Sequence, residues 1–304
     1  MSRPAIPFFR ILAAGAFAQS LEATQRRDMR EVTQELGITP IRRANRFISL
    51  AVIGAELCRR DMAASSLPSH AGVYLATAHG SFTDTVTLMW NQLHEQLPVT
   101  PFRFVNVLSN VAGFHVAASL DIHGENLAVS RLHGAFDAAL ELASLDLALN
   151  EGACTLVGGV DEGDESLELH RRRTGTPLRR CPGEGAGWLA LEAATDRESA
   201  DLIHLGDYRH WRDVRRLIRE TAADTIAAGP GVWHRPESLA GIADPIPCWD
   251  YHDEFGWSPT NTAVAMAEHH RNGSGWLLHL DRTGPQRQWR LWLVRSSRGM
   301  PRPS

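Results

Sequence analysis

The sequence has few cysteines and no cysteine pairs. Cys58, Cys154, Cys181 and Cys248 are widely separated, with no CxxC among them. That spacing argues against a zinc ribbon or a disulfide framework, and isolated thiols in a chain of this size fit a reducing cytoplasm. A dominant charge is lacking too. A formal net charge of −4 gives no global attraction to nucleic acid or to an anionic membrane, so any basic function must be local. No apolar run approaches the length of a membrane span. The opening stretch, residues 1–20, has an arginine ahead of a short apolar segment and mimics a secretory leader. We read residues 11–17 as a first strand, because the apolar segment is short and residues 21 onward have the pattern of an ordinary domain. Metal-ligand spacing is also missing among the fourteen histidines. Glu268-His269-His270 closes a helical pattern, where polar or cationic groups suit the negative helix end, and adjacent histidines on a helix point in different directions. No metal and no cofactor is implied.

The remaining features are those of a soluble globular chain. Its 304 residues are 43% hydrophobic and 22% charged, enough for one large domain or two fused halves sharing a core. Short apolar strands alternate with amphipathic helices. Apolar positions recur at helical spacing over 46–59. Residues 72–78 read as a buried strand, 81–96 as a helix, 127–130 as a strand, 134–149 as an Ala/Leu helix and 154–160 as another buried strand. Residues 161–180 are strongly polar and read as a surface excursion. Strand character resumes at 187–192, a helix follows over 208–221, and 225–228 is a short strand. A Gly/Pro-rich loop covers 229–247, a last helix 261–270, and two final strands 275–281 and 288–295. The order implies an α/β layered fold. No internal repeat is visible.

Three segments, in order, resemble the β-ketoacyl synthases of the thiolase superfamily. Gly124-Glu-Asn-Leu-Ala-Val-Ser130 runs into Arg131-Leu132-His133 and an Ala-rich helix, like the ketosynthase strand-to-nucleophile turn. Leu156-Val-Gly-Gly-Val-Asp-Glu162 is similar to the strand that follows that helix. Pro182-Gly-Glu-Gly-Ala-Gly187 is like the Pro-Gly-Glu-Gly-Ala stretch. Read alone, the last could be a phosphate loop, but it leads into a strand and opens no helix. The resemblance covers about residues 42–195 and thins beyond. It implies a thiolase-like αβαβα fold made of an N-terminal half, residues 1–165, and a shortened C-terminal half, 166–304, in one structural unit. It most resembles the short, chain-length-factor-like type found beside aryl-polyene, pigment or polyketide synthases.

An active ketosynthase needs a cysteine at a helix N-terminus and two histidines. By resemblance the nucleophile position falls on His133, the first histidine on Gly229 and the second on Trp257. His133 at a helix start is expected to be neutral, filling the vacated nucleophile site. His252 and His234 lie near enough to leave open an acyl transferase or condensing enzyme with a displaced centre. A carrier-binding module is the third reading. Loss of all three positions favours a non-catalytic subunit that pairs with an active ketosynthase, or with itself, and receives a phosphopantetheine-linked acyl chain from an acyl carrier protein. The resemblance places the dimer interface at Asn126, Leu127, Ala128, Val129 and Ser130, with 104–115 beside it, and makes Phe114 and Phe136 candidate stops for an acyl tunnel. The basic run Arg171, Arg172, Arg173, Arg179, Arg180 is a candidate carrier surface, or a solvated loop balanced by Asp161, Glu162, Asp164 and Glu165.

Overall fold

A computed structural model describes residues 8–21, 27–62, 66–150, 153–164, 166–233, 246–283 and 288–298. Its strands are β1 (Phe9–Ser20), β2 (Gly72–Thr77), β3 (Asn126–Ser130), β4 (Cys154–Asp161), β5 (Gly183–Ala193), β6 (Leu202–Tyr208), β7 (Thr225–Ala228), β8 (Cys248–Trp249), β9 (Trp276–Thr283) and β10 (Gln288–Arg295). The helices are α1 (Met29–Glu35), α2 (Arg46–Asp61), α3 (Phe82–Leu93), α4 (Pro101–Asn106), α5 (Ser109–Leu120), α6 (Ala135–Leu149), α7 (Leu167–Thr174), α8 (Trp211–Glu220), α9 (Pro230–Trp233), α10 (Tyr251–Phe255) and α11 (Asn261–Asn272).

The strand order is β3-β2-β4-β5-β1-β6-β10-β9-β7-β8. It falls into two five-stranded sets joined through one backbone pair, Phe9 with Leu202. Within the first set β3, β2 and β4 are parallel, while β5 and β1 run antiparallel to their neighbours. The second set repeats that wiring: β8, β7 and β9 are parallel, and β10 and β6 antiparallel. The repeat that is invisible in the letters is therefore present in the hydrogen bonding. β5 lies past residue 165 yet pairs with β4 and β1, so the strands of the first half extend to Ala193.

Side-chain alternation along each strand feeds three cores. Val73, Leu75 and Leu156 face outward onto α2 and α5, with Phe47, Ile48, Leu50 and Ile53 of α2 filling that layer. Tyr74, Ala76 and Val157 face inward, where α6 and α11 lie between the two sets. On the far side Val214 and Ile218 of α8 cover Ile203, Leu278, Leu291 and Leu293. Helix, sheet, helix, sheet, helix is the expected αβαβα layering, and β2 and β4, covered on both faces, read as continuous apolar runs for that reason.

The glycines of the β4 and β5 motifs have spatial roles. A Cβ on Gly158 would lie 2.2 Å from the Trp188 indole, which fills the groove between β4 and α2. One on Gly187 would lie 2.4 Å from the Ala263 backbone, where α11 crosses β5. Pro182-Gly-Glu-Gly-Ala-Gly187 is thus a strand built for close helix approach. Its Glu184 is fully buried and paired with Arg46, with further donors in Gln19 Nε2 at 2.5 Å and Gly163 N at 2.8 Å. Burial alone would raise this carboxyl's pKa, but the Arg46 pair and the other donors hold it below its ordinary value.

The polar stretch 161–180 is not a bare surface excursion. It carries α7 and buries Asp161, Glu162, Asp164 and His170. Tyr208, expected to open a helix, ends strand β6, and α8 begins at Trp211. Residues 101–120 form two helices, α4 and α5. Among the described residues no helix is long and apolar enough to cross a membrane.

Candidate functional site

The start of α6 meets the ends of β7 and β9 between the two halves. β3 ends at Ser130, a four-residue turn follows, and Gly134 opens α6 in the left-handed region at φ 66°. His133, half-buried, immediately precedes it. A Cβ on Gly134 would lie 2.7 Å from the Thr283 side chain at the end of β9, which fixes how tightly helix and strand approach.

Two residues before Thr283 on the same strand is Asp281, a buried carboxyl. Its Oδ1 accepts the N–H groups of Gly231 at 2.8 Å and Arg282 at 2.6 Å. A Cβ on Gly229 would lie 2.2 Å from Asp281 Oδ2. The side-chain space at position 229 is thus filled by Asp281. Burial first, and the nearby Asp137 second, push the Asp281 pKa well above the usual carboxylate range. Asp137 sits in the first turn of α6, also buried, and accepts Trp292 Nε1–H at 2.8 Å. Burial raises its pKa, against the opposing pull of Arg290, Trp292 and His204. Arg290 in turn holds Asp207 through two bonds of 2.8 and 2.7 Å and reaches Glu141 at 3.1 Å.

The third wall is α10 and the turn after it. His252 is fully buried, stacked between Tyr251 at 4.2 Å and Trp257 at 4.6 Å. Burial, reinforced by the Arg180 charge, lowers its pKa well below the ordinary histidine value, against the backbone hydrogen bonds of Ala228 and Gly256 that raise it. Tyr251 Oη lies 3.2 Å from Nε2 of His279, whose pKa burial pushes down to about 3. Trp257 is fully buried and fixed at both backbone ends: its N–H donates to Cys181 O at 2.7 Å and its carbonyl accepts from Gly183 N at 2.8 Å. Both sealed imidazoles are therefore neutral, and neither offers a cation for a developing anion. None of the four cysteines lies at the α6 start. Burial raises the thiol pKa of Cys58, and that of Cys154 to about 12, the reverse of nucleophile activation.

Contacts run between the three positions that the resemblance singles out. His133 adjoins Gly134, Gly134 meets Thr283, Asp281 fills the space at Gly229, and His252 bridges the end of β7 to Trp257. His234 lies outside the described residues. Sequence reading misses Asp281 and takes Asp161 only as a counter-charge to the basic run. At the end of β4, Asp161 accepts Thr77 Oγ1–H at 3.0 Å, Ala78 N–H at 2.9 Å and Thr260 Oγ1–H at 2.8 Å, joining the end of β2 to the start of α11. Each is an aspartate terminating an apolar strand, the only signal available, and one that usually marks a strand leaving the core.

The basic run is dispersed. Arg173 is buried, bonded to Asp164 at 2.9 Å and to the Glu162 carbonyl at 3.0 Å, with its guanidinium over the Phe82 ring. Arg171 donates to Pro177 O at 3.1 Å, and Arg180 pairs with Asp250 and Asp253. Arg172 and Arg179 remain exposed, Arg172 with Glu168 at 2.8 Å. His269 and His270 serve backbone carbonyls, Gly275 O at 3.3 Å and Arg295 O at 2.8 Å. Among the described residues no three metal-ligating side chains converge. Asn126–Ser130 is the edge strand β3. α5 packs against it, α3 has no buried residue, and Trp90 (56% exposed), Phe102 (62%), Phe104, Phe114 (60%), Leu127 and Leu132 are exposed. Phe136 packs in the central core instead.

No family model matches the chain, and no curated protein matches it significantly. Solved structures do. The ishigamide ketosynthase/chain length factor superposes with a TM-score of 0.67 at 17% identity, covering 95% of this chain and 99% of that one. A β-ketoacyl synthase from Burkholderia phymatum gives 0.66 at 13% identity, with 95% and 99% covered. A ketosynthase solved in complex with its type II polyketide acyl-carrier protein gives 0.64 at 13%, with the same coverage. The fold is that of the ketosynthases.

Within this ketosynthase fold, the α6 start carrying His133 and the strand ends carrying Gly229 and Asp281 converge between the halves. The layered α/β architecture expected from sequence is the one observed.

Proposed function

We propose that this chain is a non-condensing, chain-length-factor-type subunit that pairs with an active β-ketoacyl synthase in polyketide- or fatty-acid-type chain elongation. One observation carries the reading: the space beside Gly229 is filled by the Asp281 carboxyl, in a centre that has no thiol and whose buried imidazoles are held neutral. Decarboxylative condensation needs a thiolate nucleophile and groups that stabilise negative charge as it forms. Asp281 is no nucleophile toward a thioester, and its Oδ1 is already taken by the Gly231 and Arg282 N–H groups.

The partner surface is the β3 edge with α3 and α4. Unpaired strand edges and contiguous exposed aromatics are costly on an isolated protein and serve as pairing surfaces. An obligate interface of this kind is large and apolar, so the subunit alone is expected to be poorly soluble or to self-associate. In the complex the acyl chain arrives on an acyl carrier protein, and Phe114, exposed beside β3, faces the shared surface.

Co-expression with the ketosynthase encoded in the same operon tests the proposal. A stable one-to-one complex whose condensing activity needs the partner's cysteine is expected. A protein that stays monomeric with every neighbouring ketosynthase, or that acquires an acyl adduct by mass spectrometry when incubated alone with acyl carrier, would overturn it.

A further inference from the structure

All 31 basic side chains of this protein are arginines; it contains no lysine. Many of these guanidinium groups are answered close at hand: Arg46 by Glu184, Arg290 by Asp207, Arg295 by Asp201 at 2.7 Å. α8 is different. Its residues Arg212, Arg215, Arg216 and Arg219 are all exposed. At ~100° per residue they fall within an arc of roughly 100°. Val214 and Ile218 are buried on the opposite side, and Trp211 packs on Trp289 at 4.7 Å. The two acids of the helix, Asp213 and Glu220, lie on one flank. Their nearest approaches to Arg212 and Arg216, 3.8 to 4.0 Å, are beyond hydrogen-bond range. Arg209 extends the stripe before the helix, and Arg282 lies over the Trp289 ring at 5.3 Å. A chain of net charge −4 therefore concentrates five arginines against two acids in residues 209–220.

We infer that α8 is the docking helix for the acidic face of a partner protein's helix, which in the reading proposed above, on which this inference rests, belongs to the acyl carrier. Guanidinium forks suit carboxylates, which they can hold bidentately. Ten residues of helix span ~15 Å, about the length of three facing turns of a second helix. A nucleic acid would extend its charge past the stripe onto a net negative body, and the exposed arc offers no aromatic for bases to stack on. The position also separates two tasks. The β3 edge lies at one end of the strand order and is kept for the ketosynthase, while α8 covers the outer face of the second half.

The test uses the co-purified complex, a holo acyl carrier protein of the type II polyketide class as probe, and binding read by fluorescence anisotropy. R212E/R216E should weaken carrier binding by at least about tenfold while the complex still co-purifies. R172E/R179E, with the same change in charge at two exposed arginines elsewhere, should change it by less than about threefold. Raising salt from roughly 50 to 300 mM should weaken wild-type binding and leave the α8 variant nearly flat. Carrier binding within about twofold of wild type in R212E/R216E, or lost in R172E/R179E alone, overturns the inference. So does loss of duplex-DNA binding without loss of carrier. If no complex with a ketosynthase forms, the proposed function fails by that readout. The single chain titrated with a Glu-rich helical peptide then decides α8 separately: binding lost in R212E/R216E upholds it, and no binding by wild type refutes it.

Discussion

Placing a histidine at position 229, where active ketosynthases are expected to have one, should damage this protein. A Cβ there starts 2.2 Å from Asp281 Oδ2 and 2.4 Å from its Cγ, so the carboxyl must leave before any side chain enters. Overpacking a filled core costs about 1–3 kcal/mol. Displacing Asp281 also strands the Gly231 and Arg282 N–H groups. Each such hydrogen bond contributes about 1 kcal/mol. Gly229→His is therefore expected to cost roughly 3–5 kcal/mol, or a fall in Tm on the order of 5–8 °C for a chain of this size. Thermal unfolding by circular dichroism measures it, beside the Gly229→His/Asp281→Ala double variant, which should recover at least half of the loss because the two sites share one volume. A single variant within about 2 °C of wild type would refute the claim that Asp281 occupies this site. A double variant no better than the single would do the same.

The remaining expectations concern the nucleophile position, titration, packing and the interface. His133→Cys should gain no acyl adduct from acyl carrier on mass spectrometry, because no cationic imidazole stands near it; adduct formation would show a centre still competent for transfer. Burial raises the Glu162 pKa from 4.5 to about 7, against hydrogen bonding from Thr83, so the folded state favours the neutral form. The stability this carboxyl contributes is complete below pH 4.5 and is lost as pH rises through about 7. Glu162→Gln, still able to accept Thr83 N–H, should remove a decline of about 2–3 kcal/mol over that window in urea titrations. Asp207 carries the opposite sign. Its bonds from Arg290 and His204 overcome burial and hold its pKa below the ordinary value, so its contribution is present above the normal carboxylate range and lost on acidification. Gly158→Ala should lower stability by about 1–3 kcal/mol through the Trp188 contact and shift the tryptophan emission. Trp90→Asp with Phe104→Asp should abolish co-purification with the ketosynthase while making the single chain more soluble.

The strands that position the centre were legible in the letters because they are buried on both faces. Residues 72–77, 154–161 and 288–295 are nearly unbroken apolar runs bounded by polar or turn residues. The three motif segments carried the fold for a related reason, since Gly158 and Gly187 answer to fixed contacts with Trp188 and α11. What was hidden depends on partners distant in sequence. α7 looked like solvated loop because Asp164 and Arg173 bury one another's charge beside His170, and a buried ion pair has the same composition as an exposed one. Asp281 was hidden because its meaning comes from Gly229, fifty-two residues earlier, whose side-chain space it fills. The twofold wiring left no trace because hydrogen-bond order does not constrain side-chain identity.

The arrangement of the central layer bears on how the chain comes to fold. β1 pairs with β5 across the sequence, Ala14 opposite Leu189, and α11, near the C-terminus, packs on β5, β4 and β1. During synthesis α6 can cover the inner faces of β2 and β4, but those of β1 and β5 lack most of their cover until residues 261–272 emerge. Late-made pairings close slowly, and the uncovered apolar strands are prone to associate in the meantime. Truncation anywhere before Asn272 should therefore yield aggregate and no folded half. On the pairing proposed above, a ketosynthase at the β3 edge stabilises only chains that have been completed.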